Sequence, residues 1–254
     1  MRQGGAMGVA VITGVSRRIG IGAAVARRLA EAGWDLFLHS WSPHDAEQPW
    51  GADAEDPAAI VADLRSRVRV EHLAADLADP DAPAQLLAAA AGAYGRVDAL
   101  VANHARSSTA TLEELTAAEL DLSYAVNTRA TLLLVKEFAA RCAGPGRVVL
   151  MTSGQHRGPM PGELPYIASK GALHQVTASL AAHLAPRGIT VNAVDPGATD
   201  TGYADAAAHA AVLALEPMGR WGEPDDAARL IAWLASDAGR WVTGQVLVSN
   251  GGGP

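Results

Sequence analysis

Val9-Ala10-Val11-Ile12-Thr13-Gly14-Val15-Ser16-Arg17-Arg18-Ile19-Gly20-Ile21-Gly22 is the stretch on which the fold turns. Four apolar residues in a row read as a strand covered on both faces. The glycines that follow let the backbone turn sharply and approach a pyrophosphate held at the N-terminus of the helix opening behind them. A glycine cluster alone marks only a tight turn. Placed after the first strand of a repeating strand–helix pattern, it marks a dinucleotide site.

Outward from this unit the pattern does repeat. Further strands are expected over 35–38, 70–73, 99–101, 147–151, 190–194 and 245–248, after a first one over 9–12. Most are continuous apolar runs, as in parallel strands buried on both faces. Helices are expected over 23–32, 57–68, 82–94, 117–142, 166–185 and 224–235, several ended by a glycine such as Gly33 or Gly95. Seven strands alternating with helices predict an α/β fold: a Rossmann-type, doubly wound, mostly parallel sheet with helices on both faces. The whole chain, 1–254, reads as one domain, with residues 1–8 as a lead-in. Two segments are irregular, 42–56 and 198–221. The second lies beyond a strand's C-terminal end and reads as a substrate-covering loop or as a surface excursion with short helices.

Composition narrows the function classes. The net charge is −7 and the 20 basic residues are scattered, so no nucleic-acid partner is expected. No apolar run is long enough to span a bilayer, and the first residues do not form a secretory signal. The single cysteine, Cys142, has no partner for a disulfide or a metal cluster, which fits a cytoplasmic protein without a metal.

Cofactor choice depends on the end of the second strand. An enzyme using NAD places a carboxylate there for the ribose hydroxyls. Here the residues are Leu38-His39-Ser40-Trp41, with no carboxylate until Asp45. Ser40 would tolerate a 2′-phosphate, and Arg17 or Arg18 could pair with it, so NADP(H) is favoured over NAD(H). Asp76, followed by Leu77, either accepts from the adenine amine or caps the next helix. Trp41 is placed to flank the adenine, whereas Trp34 and Trp50 read as packing residues.

The reacting groups stand further on. Ser153 ends the fifth strand, and Tyr166-Ile167-Ala168-Ser169-Lys170 opens a helix. A spacing of four puts Tyr166 and Lys170 on one helix face. A phenol is a weak acid at neutral pH. An ammonium about 4 Å away would supply roughly 4 kcal/mol at an effective dielectric of about 20. That lowers the phenol's pKa by at most about three, in the direction useful for acid–base work.

In these residues the chain resembles the short-chain dehydrogenase/reductase family, whose Tyr-x-x-x-Lys pair follows a Ser by thirteen positions, as 166 follows 153 here. The resemblance runs from Val9 to Gly253. Thr13-Gly14 with Gly20-Ile21-Gly22 looks like the family's cofactor loop, two residues longer than usual and therefore expected to bulge. Asn103 is kept after the fourth strand, while His104 stands where the family has a second small residue and reads as a packed loop histidine. Asn127 matches the family's helix asparagine. Pro196, Gly197, Thr199 and Thr201 resemble the segment that meets the nicotinamide carboxamide. Gly219 to Pro224 and Thr243 to Val246 resemble the C-terminal signature of the 3-oxoacyl-acyl-carrier-protein reductase branch.

The resemblance implies that Tyr166 exchanges the proton with the substrate oxygen, that Lys170 lowers its pKa and binds the nicotinamide ribose, and that Ser153 hydrogen-bonds the substrate. Asn127 would hold a water relaying protons to Lys170. Gln155 and His156 would face the substrate. The activity implied is NADP(H)-dependent reduction of a ketone or 3-oxoacyl compound. Alternatives are a secondary-alcohol or sugar dehydrogenase, or a family member that senses NADP(H) without catalysis. No basic patch stands out for an acyl carrier protein. A small-molecule substrate and a homotetramer, built on the 117–142 and 166–185 helices, or a dimer, are the implied partners.

Overall fold

The computed structural model describes residues 7–253; residues 1–6 of the expected lead-in lie outside them. Seven strands form one sheet: β1 (Val9–Ile12), β2 (Asp35–Ser40), β3 (Val70–Ala74), β4 (Ala99–Ala102), β5 (Gly146–Met151), β6 (Ile189–Asp195) and β7 (Val246–Val248). Every pairing is parallel and the order is β3-β2-β1-β4-β5-β6-β7. The order reverses between β1 and β4, which opens a crevice at their carboxyl ends.

Side-chain alternation splits the core between the faces of the sheet. Ala10, Ile12, Leu36, Leu38 and Val101 point to one side, packing with Val25 and Leu29 of α1 (Ile21–Glu31), with α3 (Asp56–Arg65) and with Ile231 of α9 (Pro224–Ala235). Val11, Phe37, Leu100, Val148 and Val191 point to the other, against α4 (Ala82–Tyr94), α6 (Ala130–Arg141) and α7 (Leu164–Leu184). Every residue of β1, β4 and β6 is buried, whereas the edge strands β3 and β7 are partly open.

Two elements differ from the sequence reading. The helix expected over 117–142 is three pieces: α5 (Ala117–Ser123), a widened π turn at Tyr124–Arg129, and α6. Periodicity near 3.6 does not reveal one widened turn, because side chains from other elements hold it open. There Asn127 bonds Arg106, and Thr128 Oγ1 donates to the Ser169 carbonyl at 2.8 Å. The two irregular segments each contain a helix, a single turn α2 (Pro43–Ala46) and α8 (Ala206–Leu213). α8 has no buried residue and is capped by Asp205, whose side chain accepts from the Ala208 amide. Among the described residues no helix is long and apolar enough to cross a membrane.

Candidate active site

The turn after β1 is built on close approach. Gly14 has φ of +71°, and a Cβ on Gly22 would lie 2.5 Å from the Gly14 carbonyl oxygen and 2.7 Å from Asn103 Nδ2. Only glycine lets α1 start this near the strand end. Gly20 precedes α1 and turns back onto Arg17 through an amide–carbonyl bond of 3.0 Å, so the loop bulges over 15–19. Asn103 fixes it from β4, its Nδ2 donating to the carbonyls of Thr13 (3.1 Å) and Gly14 (3.0 Å).

Two buried histidines complete the frame. His39 Nδ1 accepts from the Gly14 amide at 3.3 Å while Nε2 meets the Ala75 carbonyl at 2.9 Å. His104 lies between Thr13 Oγ1 (2.7 Å) and the Val126 carbonyl (3.0 Å). Burial lowers their pKa values to about 4 and about 3 respectively, so both are neutral packing groups at pH 7. His104 is thus a loop histidine fixed by its neighbours, as the sequence suggests. The support from His39 was not legible, because its partner is a main-chain amide 25 residues away.

Above this frame lies a cavity of about 430 Å³. Gly14, Ser16, Arg17, Gly20, Ile21, Asp76, Leu77, Asn103 and Thr201 line it, together with Trp41. Arg17 forms no ion pair among the described residues. Ser16 Oγ is held by the Trp41 amide (3.0 Å), and Asp76 Oδ1 accepts from the Ala78 amide (2.8 Å) in a turn ahead of α4, whose N-cap is Asp81. The glycine cradle, the apolar wall and the unpaired Arg17 fit a phosphate-bearing dinucleotide.

Two expected cofactor residues are turned elsewhere. The Arg18 guanidinium pairs with Asp56 and, at 3.3 Å, with Asp53, outside the cavity. Ser40 is buried with its hydroxyl 2.8 Å from His72 Nε2, because strand alternation sends it to the face opposite His39 and Trp41. The sequence also missed that α2 folds back: Asp45 and Glu47 line the cavity, Asp45 accepting from Trp50 Nε1 at 2.9 Å. Gly22, Pro196, Gly197 and Thr199 do not line the cavity. Gly197 (φ +65°) lies against Asn250, and Thr199 Oγ1 donates to the Pro196 carbonyl at 3.2 Å.

The reacting groups meet where β5 faces α7. Lys170 is 2% exposed, and its Nζ donates to the Met151 carbonyl at 2.9 Å while Thr152 Oγ1 donates to the Lys170 carbonyl at 3.2 Å. These bonds fix the strand end against the helix, with Ser153 next in the chain. Burial pushes the Tyr166 phenol up to about 12, opposed by a hydrogen bond from Ser153, and burial lowers Lys170 to about 8. The expected acidification by Lys170 does not emerge here: Nζ is 5.9 Å from the ring centroid, and desolvation is the largest influence on the phenol.

Asn127 is held by three side-chain hydrogen bonds. Its Oδ1 accepts from the Arg106 amide (2.7 Å), and its Nδ2 donates to the Arg106 carbonyl (3.0 Å) and to Ser169 Oγ (2.9 Å). The side chain is a brace between the loop after β4 and α7. Gln155 and His156 sit on the turn after Ser153. Gln155 Nε2 donates to Thr152 Oγ1 (3.3 Å), leaving its buried Oε1 without a partner, and His156 is exposed with its ring 4.7 Å from that of His174. Neither lines the cavity.

Residues 14–253 match the family model described as enoyl-(acyl carrier protein) reductase. An uncharacterized oxidoreductase, YjdA of Bacillus subtilis, is 42% identical over 248 residues, 96% of each chain. Two solved structures align with high similarity. One is a blue fluorescent protein from a metagenomic library in complex with NADPH (33% identity, TM-score 0.88, 97% of this chain and 98% of that one). The other is a short-chain dehydrogenase of Burkholderia cenocepacia in complex with NADP (36% identity, TM-score 0.85, 96% of each). With a Rossmann sheet, a glycine cradle and a Ser–Tyr–Lys cluster at its carboxyl edge, the chain belongs to the short-chain dehydrogenase/reductase family of oxidoreductases.

Proposed function

We propose that the protein is an NADP(H)-dependent reductase of small ketones, acting in the cytoplasm as a homotetramer. The observation that carries this is the convergence of Ser153, Tyr166 and buried Lys170 beside the cofactor cradle. The nicotinamide supplies the hydride. Ser153 holds the carbonyl oxygen, and Tyr166 donates the proton that neutralises the forming alkoxide. A phenol pushed up to about 12 is protonated at neutral pH, as a proton donor to the alkoxide must be. Lys170 orients the site from beneath and adds positive charge that strengthens as solvent is excluded.

NADP(H) over NAD(H) is supported by the unpaired Arg17 in the cavity wall, by the absence of a carboxylate at the end of β2, and by the NADP-type ligands of the two neighbours. The 3-oxoacyl alternative has less support, since no basic patch suits an acidic carrier.

The test is loss of NADPH absorbance over a carbonyl panel, with Tyr166→Phe as control. The variant should retain under about 1% of kcat, since it lacks the proton donor. NADPH should bind at least about tenfold more tightly than NADH. Full turnover by the variant would remove Tyr166 from the chemistry.

A further inference from the structure

Beside Tyr166 stands a carboxylate that proton donation does not use. Glu163 immediately precedes α7, three residues before the phenol. Its backbone is fixed on both sides. It forms a bridge with Ala110, the next amide (Leu164) donates to the Ala110 carbonyl at 3.2 Å, and its own carbonyl accepts from Ile167 at 2.9 Å. The side chain is half-buried, does not cap α7, and has no hydrogen-bond or ion-pair partner among the described residues.

A third group converges on the same place. Tyr203, from the covering segment, packs edge-on against Trp50 (6.3 Å between ring centroids) and Trp221 (6.0 Å). Burial raises the pKa of both Tyr166 and Tyr203, and the Glu163 carboxylate raises each further. Burial in turn holds the Glu163 carboxyl above its usual range. Glu163 is thus a half-buried acceptor without a donor, one turn ahead of the proton donor on α7. A desolvated carboxylate without a partner is unfavourable, and a hydroxyl brought in by a ligand relieves it.

As the N-cap of α7, Glu163 stands at the helix end, three residues ahead of Tyr166 in its first turn. A donor reaching Glu163 while the carbonyl oxygen rests on Tyr166 is thus separated from the reacting carbon by only a few bonds. We propose that Glu163 is a specificity-determining residue, accepting a hydrogen bond from a substrate hydroxyl close to the reacting carbonyl. The preferred substrates are then neutral hydroxyketones, and ketones with an anionic group at that position are excluded. This rests on the reading of Tyr166 as proton donor.

The experiment measures kcat/KM with NADPH for matched pairs in which a methyl replaces the hydroxyl: hydroxyacetone against butanone, and 2-hydroxycyclohexanone against 2-methylcyclohexanone. Acetoacetate is the anionic probe and 4-nitrobenzaldehyde a reactive reference. Wild type should favour the hydroxyl member of each pair at least about tenfold, because a site built around a hydroxyl discriminates against its absence. Glu163→Ala should bring that ratio to about one. Glu163→Gln, which still accepts a hydrogen bond but carries no charge, should keep part of the ratio and raise the acetoacetate rate relative to butanone. Equal rates within the pairs for wild type, or an undiminished ratio in Glu163→Ala, would overturn the assignment of Glu163 alone. Turnover of no carbonyl by wild type, the aldehyde included, or undiminished turnover by Tyr166→Phe, would instead overturn the reductase reading.

Discussion

Lys170 shows what the site costs the fold. It is a fully buried ammonium whose pKa falls from an ordinary 10.5 to about 8, with desolvation as the cause. In the unfolded chain the amine keeps its proton up to about 10.5, so between about 8 and 10.5 the unfolded state binds more protons. Stability from this group therefore rises with pH across that window, and below it the full penalty applies, about 3 kcal/mol. Lys170→Met removes the penalty but orphans the Met151 carbonyl, at about 1–2 kcal/mol. The variant should be more stable than wild type by on the order of 1–2 kcal/mol at pH 7 and less stable near pH 10.5, with reductase activity lost. Urea denaturation of both proteins at the two pH values would check it; a difference of constant sign would show that Lys170 is not destabilised by burial.

The widened turn at Tyr124–Arg129 plays a comparable part among the elements. It presents Asn127 to the loop after β4 and to α7 at once, through Arg106 and Ser169. Arg106 is further clamped by Glu119 of α5, with bonds of 3.1 and 3.0 Å. Asn127→Ala would leave the Arg106 amide, the Arg106 carbonyl and Ser169 Oγ short of partners in a buried setting. The expected loss is about 2–4 kcal/mol, with faster hydrogen exchange at 104–107 and 166–170 and little change around α9. Uniform exchange would argue against a local brace. This arrangement marks where sequence reading stops. Strand runs and helix ends are local patterns, so β1 to β7 were legible to within about two residues. Tyr166 and Lys170 were findable by spacing, and Asn127 by resemblance. The side-chain partners were not, because Asn127–Arg106, Gly14–His39 and Ser40–His72 join residues that meet only after the sheet has closed. The lowered phenol pKa failed for a related reason: spacing gives an ammonium's position along a helix, whereas desolvation depends on everything packed around it.

At the scale of the whole molecule, two groups among the exposed apolar side chains lie on different elements. Leu120 and Tyr124, 39% and 51% exposed, lie on α5 and the turn after it. Trp233 and Trp241, 43% and 94% exposed, lie on α9 and beyond it, near the open edge strand β7, where Val248 is 41% exposed. Large apolar side chains left in water at this level favour association, and an unpaired sheet edge invites another strand. Two separate self-complementary patches, each meeting its copy across a twofold axis, close into a dihedral tetramer rather than a filament. Light scattering should therefore give the mass of four chains. Leu120→Glu with Tyr124→Glu should leave two-chain particles joined through α9 and β7, and Trp233→Glu with Trp241→Glu should leave two-chain particles joined through α5. Combining all four substitutions should give single chains. Since α7 packs against α5, losing the first contact should also lower kcat, whereas losing the second should leave it within about twofold. A wild-type mass of one chain would remove both interfaces together, and a mass of two would leave only the one whose substitution reduces it further.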